Sequence, residues 1–246
     1  MNKYKLYGAI LGDLAGQPYE FPAMKGPYTN VNLHNPNSVI TDDTIMTLAT
    51  AAAIINNAKT NQDYSFTYKL YGSFYEGDHY GKSFKNWLKS PKGTVNDSFG
   101  NGCLMRISPF MYMPETDTYN PLEEIIKSIQ ESHNHVISYD SVIKLYLAYK
   151  DKYNKKSGDI KAFKKFKVRA DDTLKFCINL ADQCDNVHEG IRMAIECGGD
   201  TDTNASIVGE LLNYRYGDLT QADIDYVESK LTKMQLSVLR MFNQMF

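Results

Sequence analysis

Thr41 to Ala58 reads TDDTIMTLATAAAIINNA. From Ile45 onward the run is rich in Ala, Leu and Met, which are strong helix formers. Thr41 or Asp42 is a natural N-cap, because a short oxygen side chain accepts from the N–H groups that open a helix. The stretch therefore predicts a long helix with two carboxylates at its start. Moving outward, Leu6, Ile10 and Leu14 recur at a spacing of four, the signature of one apolar helix face. Asn120-Pro121 followed by Leu122 to Ile129 reads as cap, first-position proline and helix. Ser138–Tyr149, Asp171–Cys184, Val187–Cys197, Ala205–Tyr214, Gln221–Leu231 and Met234–Phe246 are further candidates. Strand signals are weak, since no two alternating runs are joined by a tight Asn-Gly or Asp-Gly turn. Pro18 to Ser38 and Ser90 to Gly102 read as loops. The expectation is an all-α protein, one compact multi-helix domain over residues 1–246.

Composition narrows the function classes. The formal net charge is -2, which leaves no nucleic-acid or membrane footprint in the totals. Lys152, Lys155, Lys156, Lys161, Lys164, Lys165, Lys167 and Arg169 gather in one stretch, read as a solvated connector or helix face. No run of some 18 apolar residues exists, so no membrane span is expected. Cys103, Cys177, Cys184 and Cys197 form no CxxC pair, which fits a reduced, cytoplasmic protein. A monomer is expected.

Chemistry concentrates in two segments. Thr41-Asp42-Asp43-Thr44 opens one helix, and Gly198-Gly199-Asp200-Thr201-Asp202-Thr203 leads into another. Clustered carboxylate and hydroxyl oxygens are hard ligands, suited to Mg²⁺, Mn²⁺ or Ca²⁺. Each segment alone is explained by helix capping and dipole-favoured acids. Together they supply more ligands than capping requires. Asp171-Asp172-Thr173 repeats the letters of Asp42-Asp43-Thr44 without a glycine pair, and reads as a plain helix cap. Glu20, among aromatics, is a candidate for proton transfer with a raised pKa. Ser98-Phe99-Gly100-Asn101-Gly102 offers backbone N–H groups suited to phosphate oxygens. His133 and His135 alternate just before a helix, which fits ligand contact or local capping. No histidine pair has the HExxH spacing of a zinc protease.

These pieces resemble the ADP-ribosylglycohydrolase family, which includes the dinitrogenase reductase-activating glycohydrolase and the ADP-ribosyl-acceptor hydrolases. Gly8 to Gly16 is similar to the family's opening helix. Glu20 falls where the family places its catalytic glutamate, and Thr41 to Met46 looks like its first metal motif. Ser98 to Arg106, with Pro109, is similar to its Gly-Asn-Gly-x-x-Met-Arg-x-x-Pro loop. His133 sits where a family histidine lies near the ligand. Gly198 to Ala205 looks like the second metal motif. The resemblance implies two divalent cations, Mg²⁺ or Mn²⁺, held by Thr41, Asp42, Asp43, Asp200, Asp202 and Thr203. It implies Glu20 and Asp202 as catalytic carboxylates, and Ser98, Gly100, Asn101, Gly102 and His133 as substrate contacts. The implied reaction cleaves the glycosidic bond between ADP-ribose and an acceptor, reversing mono-ADP-ribosylation. The acceptor is a modified protein or a small ADP-ribose conjugate, with no nucleic acid and no membrane partner. A catalytically silent ADP-ribose-binding protein on the same fold is the alternative.

Overall fold

The computed structural model describes residues 3–20, 28–60, 63–74, 79–150 and 167–246. Twelve α-helices and one 3-10 helix lie in this region. Among the described residues the only β-type pairings are two isolated bridges, Gly100 with Arg169 and Thr116 with Tyr119, so the fold is all-α.

Two helices form its axis. α1 (Tyr7–Glu20) packs along α10 (Thr201–Tyr216) more extensively than any other helix pair. In α10 every residue from Thr201 to Asn213 is buried. It lacks a polar stripe because α1, α8 (Ala170–Ala181) and α9 (Val187–Glu196) surround it. Gly8, Gly12 and Gly16 recur every four residues on the α1 face that meets α10. A Cβ at Gly8 would collide with the Gly209 carbonyl, one at Gly12 with the Ala205 carbonyl, and one at Gly16 with the Thr201 carbonyl. The glycines let the two backbones touch. Glu20, one turn beyond Gly16, is thereby brought beside Asp202.

The N-terminus of α1 is fastened to the same partner. The fully buried Glu210 accepts from the backbone N–H of Leu6 at 2.8 Å and of Ala9 at 3.0 Å. Leu6 is held at φ 71°, a left-handed conformation costing roughly 1–2 kcal/mol for a residue with a Cβ.

α2 (Asp42–Thr60) starts one residue after Thr41, whose hydroxyl accepts from the Asp43 N–H at 3.2 Å. Thr41 is the cap. α6 (Pro121–Ile129) starts at its proline, with Asn120 capping. α7 (Val136–Tyr149) is capped by the His135 ring, which accepts from Ile137 N–H. α11 (Gln221–Lys230) and α12 (Lys233–Met245) carry capping boxes at Thr220 and Thr232.

Several boundaries depart from expectation. α1 continues through Pro18 to Glu20, so Glu20 sits on a helix end and not in a loop. α10 begins at Thr201, four residues before Ala205. α8 begins at Ala170 with Arg169 at the N-cap position, so Asp171 and Asp172 lie in the first turn instead of capping it. α3 (Tyr64–Phe74) and α4 (Lys82–Leu88) are additional helices. Of the Lys-rich stretch, residues 151–166 lie outside the described residues. Lys167 and Arg169 pair with Asp172 and Asp171 at 3.2 and 3.0 Å. No helix of the described residues is long and apolar enough to cross a membrane.

Candidate active site

A cavity of about 390 Å³ opens where α1, α2 and α10 converge with the 98–102 loop. Glu20, Asp42, Asp43, Asp200, Asp202 and Thr203 form its acidic lining, and Ser98, Gly100, Asn101, Gly102 and His133 line it as well. Of the residues that the resemblance assigns to metal, catalysis or substrate, Thr41 alone does not line it. Its hydroxyl donates to Asp13 Oδ1 at 2.8 Å, behind the cavity wall.

The two acidic segments touch. Thr203 Oγ1 donates to Asp43 Oδ2 at 3.1 Å, across 160 residues of sequence. Asp202 Oδ1 accepts from the Thr203 N–H at 2.9 Å. Asp200 accepts from Asn101 Nδ2 at 2.6 Å, which ties the glycine-rich loop to the acidic lining. Gly198 and Gly199 have φ of 75° and 84°, values suited to glycine, and they turn the chain so that Asp200 precedes α10. Glu20, Asp200 and Asp202 each place a carboxylate oxygen within 4.8 Å of the other two.

Asp13 belongs to this assembly, and the sequence reading passed it over. It is fully buried and accepts from Thr41 N at 3.0 Å, Thr44 N at 3.1 Å and both threonine hydroxyls. Asp13 thus anchors the start of α2 to α1. Its signal was a lone carboxylate inside the apolar run Gly8 to Ala15.

The electrostatics of so many buried carboxylates are unfavourable. Burial first, then the charges of Asp202 and Asp13, push Asp42 and Asp43 well above the usual carboxylate range. Burial and Asp200 do the same to Asp202. Asp200 is raised to about 6 by burial, with the Asn101 hydrogen bond opposing. Glu20 is raised to about 9 by burial and by the Asp202 charge. Lys82 and Arg106 also line the cavity, yet among the described residues neither forms an ion pair with these groups. Glu20 Oε2 and Asp43 Oδ1 are buried without hydrogen-bond partners. Hard oxygen donors, mutual repulsion and orphaned oxygens are what a divalent cation would resolve. The residues present fit such a group.

The loop is partly spoken for. Gly100 N–H donates to Ser98 Oγ at 3.2 Å, and Asn101 N–H to the Val168 carbonyl at 2.7 Å. Two of the amides expected to face a ligand are therefore used inside the protein. The other end of the loop, Gly102, opens the short helix α5 (Gly102–Met105) beside His133. His133 lines the cavity, whereas His135 caps α7. The Asp171-Asp172 pair lies outside the cavity, on exposed partners.

Residues 5–149 match the family model described as ADP-ribosylglycohydrolase. The chain belongs to the ADP-ribosylglycohydrolase family. The matched span carries Glu20, Thr41 to Thr44, Ser98 to Gly102 and His133, whereas Asp200 to Thr203 lie beyond it. A solved structure described as an ADP-ribosylglycohydrolase-related protein complex shares the fold. It has a TM-score of 0.73 at 17% identity, with 98% of this chain and 96% of that chain covered. No curated protein sequence matches the chain. Membership supports glycohydrolase activity on ADP-ribosylated substrates in general, and the acidic cluster of this chain is of the kind that binds metals.

Proposed function

We propose that the cavity binds the ADP-ribose part of a modified protein, or of a small conjugate, and hydrolyses its glycosidic bond to the acceptor. The observation that carries this reading is the meeting of two acidic segments and a glycine-rich loop in one cavity. Thr203 to Asp43 and Asn101 to Asp200 are its direct joints. The acidic lining suits the ribose whose anomeric carbon reacts, and the loop suits the diphosphate.

Asp42, Asp43, Asp200, Asp202 and Thr203 would hold two divalent cations, Mg²⁺ or Mn²⁺, with Thr41 supporting Asp43 from behind. Bound cations would supply Lewis-acid polarisation and a water of lowered pKa. The protein's own part is orientation and proton transfer. Asp13 and Thr44 fix the start of α2, so Asp42 and Asp43 present their carboxylates at fixed positions. Glu20 Oε2 is assigned the proton. Burial beside Asp202 favours its protonated form. As the acid it hands a proton to the departing acceptor as the glycosidic bond breaks, and as the resulting carboxylate it takes a proton back from the water that adds to the anomeric carbon. The developing positive charge on the ribose ring is stabilised by the surrounding carboxylates. The four free cysteines support a reducing, cytoplasmic setting.

Glu20→Gln and Asp202→Asn test the division of labour. Glu20→Gln keeps the shape of the side chain but carries no transferable proton. It should lower kcat by ~10²-fold or more, with ADP-ribose affinity falling far less. Asp202→Asn should damage both, because a hard cation loses a charged ligand. Near-normal turnover by Glu20→Gln would remove Glu20 from the reaction.

A further inference from the structure

Arg106 is the largest fully buried side chain of the described residues. Its guanidinium lies 4.5 Å from the Tyr68 ring centroid and 5.4 Å from that of Phe84. Among the described residues no carboxylate forms an ion pair with it. Nη2 donates to Ser132 Oγ at 2.5 Å and lies 3.4 Å from His133 Nδ1. Ser132 Oγ is itself 3.1 Å from the same Nδ1. A buried cation placed against a histidine ring, and not against an acid, needs a reason beyond stability.

A guanidinium has five donors and no acceptor. A ring nitrogen facing it is best served as an acceptor, with its lone pair toward Nη2–H. The proton of a neutral imidazole then belongs on Nε2. The doubly protonated ring is disfavoured by burial and by the neighbouring positive charge, which together hold His133 well below its ordinary pKa. Nε2 points at the glycine-rich loop. A Cβ at Gly102 would lie 3.4 Å from it, and one at Gly100 would lie 4.0 Å away. Among the described residues nothing accepts a hydrogen bond from Nε2.

We propose that Arg106 is a positioning residue that locks His133 in the Nε2–H tautomer, giving the cavity a fixed donor for an anionic ligand oxygen beside Gly102. This rests on the reading that the cavity takes ADP-ribose, whose diphosphate supplies that oxygen. It also accounts for the loop's internal use of the Gly100 and Asn101 amides. A side-chain donor stands where backbone donors are missing. The lock is shared between Arg106 and Ser132, and the ring is further steadied by Phe84 at 5.9 Å.

The test begins with the ligand-free wild-type protein at pH 7. Long-range ¹H–¹⁵N correlation spectra of ¹⁵N-histidine-labelled protein, assigned with His133→Phe, report which ring nitrogen is protonated. The expected result is a bare Nδ1 and a protonated Nε2. A proton on Nδ1, or an imidazolium, overturns the proposal without reference to any ligand. Arg106→Met should give a tautomer mixture and weaken calorimetric ADP-ribose binding by about tenfold, the loss of one hydrogen bond to a charged group. Arg106→Lys, which keeps a cationic donor, should restore the single tautomer and part of the affinity. If Arg106→Met does not fold, Arg106→Lys and the wild-type spectrum still decide the tautomer. Equal binding by wild type and a folded Arg106→Met overturns the positioning role. Failure of wild type to bind ADP-ribose, with the expected tautomer present, would instead refute the ligand assigned to the cavity.

Discussion

Replacing Gly12 with Ala tests whether backbone contact between α1 and α10 builds the site. A methyl group there would meet the Ala205 carbonyl carbon and oxygen and the Ser206 nitrogen. All three are backbone atoms of a helix buried on every side, so none can swing away. Overpacking a core costs typically ~1–3 kcal/mol, and rigid backbone neighbours place this case at the upper end. Alanine returns ~1 kcal/mol of helix propensity over glycine. The net is a loss of about 2 kcal/mol, or ~4–8 °C in Tm for a chain of this size. Gly81 is the control, since a Cβ there meets nothing within 4 Å, and Gly81→Ala should melt within about 1 °C of wild type. Gly16→Ala should show a similar Tm loss together with weaker ADP-ribose binding, because the clash falls on Asp202 itself. Calorimetric melts of the three variants decide the matter. A Gly12→Ala protein that melts with wild type would refute the close-packed axis.

Asp171→Asn with Asp172→Asn should leave turnover within a few-fold, since these exposed residues pair with Arg169 and Lys167 away from the cavity; a kinetic assay at matched folded fraction checks it. Asp13→Asn should lower Tm, because a buried carboxylate taking four hydrogen bonds becomes an amide that must turn a donor toward donors, and it should also weaken binding of Mn²⁺ in a calorimetric titration. His188 and Asp223 set a pH window for stability. Burial opposes Asp223 ionisation, but hydrogen bonds from His188, Thr220 and His34 outweigh it and hold the carboxyl below its ordinary 3.8. That stabilisation is present above about pH 4 and is lost as pH falls through the depressed value. The Asp223 hydrogen bond raises His188 above 6.5, so its contribution is complete below 6.5 and is lost as pH rises through the raised value. Wild type should therefore gain most over His188→Gln between about pH 4.5 and 6.5. The gain is about 0.5–1 kcal/mol given the partial exposure of the ring, and denaturant melts across pH 4 to 9 measure it.

The parts of this molecule that were legible share a cause. The α2 run, the Asn120-Pro121 start of α6 and the α9 to α12 helices are local events, written in propensity and capping residues. The two acidic segments stood out because Thr41 to Thr44 and Gly198 to Thr203 hold more carboxylates and hydroxyls than capping uses, and the fold brings them to one cavity. What escaped depended on distant partners. Asp13 acts through threonines 28 and 31 positions away. Arg106 acts through a serine and a histidine on another segment. α3, with the sequence YSFTYKLYGSF, is heavy in aromatics that favour strands, yet it packs as a helix against α2. α4 has only seven residues, too few for a periodic signal. The repeat of Asp-Asp-Thr at 42–44 and 171–173 shows the limit of short motifs. The same letters bind a buried cavity in one place and a solvated helix turn in the other, and only packing separates them.

On the proposed reading, this carboxylate-lined cavity hydrolyses an ADP-ribosyl glycosidic bond with the help of divalent cations. Release of free ADP-ribose should be followed from three substrates: an ADP-ribosyl-arginine peptide, an ADP-ribosyl-serine peptide and O-acetyl-ADP-ribose. Each is run with Mg²⁺, with Mn²⁺ and with excess EDTA. Turnover of at least one substrate is expected, abolished by EDTA, restored by added metal and reduced ~10²-fold in Glu20→Gln. Turnover that is indifferent to EDTA, or no release from any of the three by a folded protein that binds ADP-ribose, would contradict that reading.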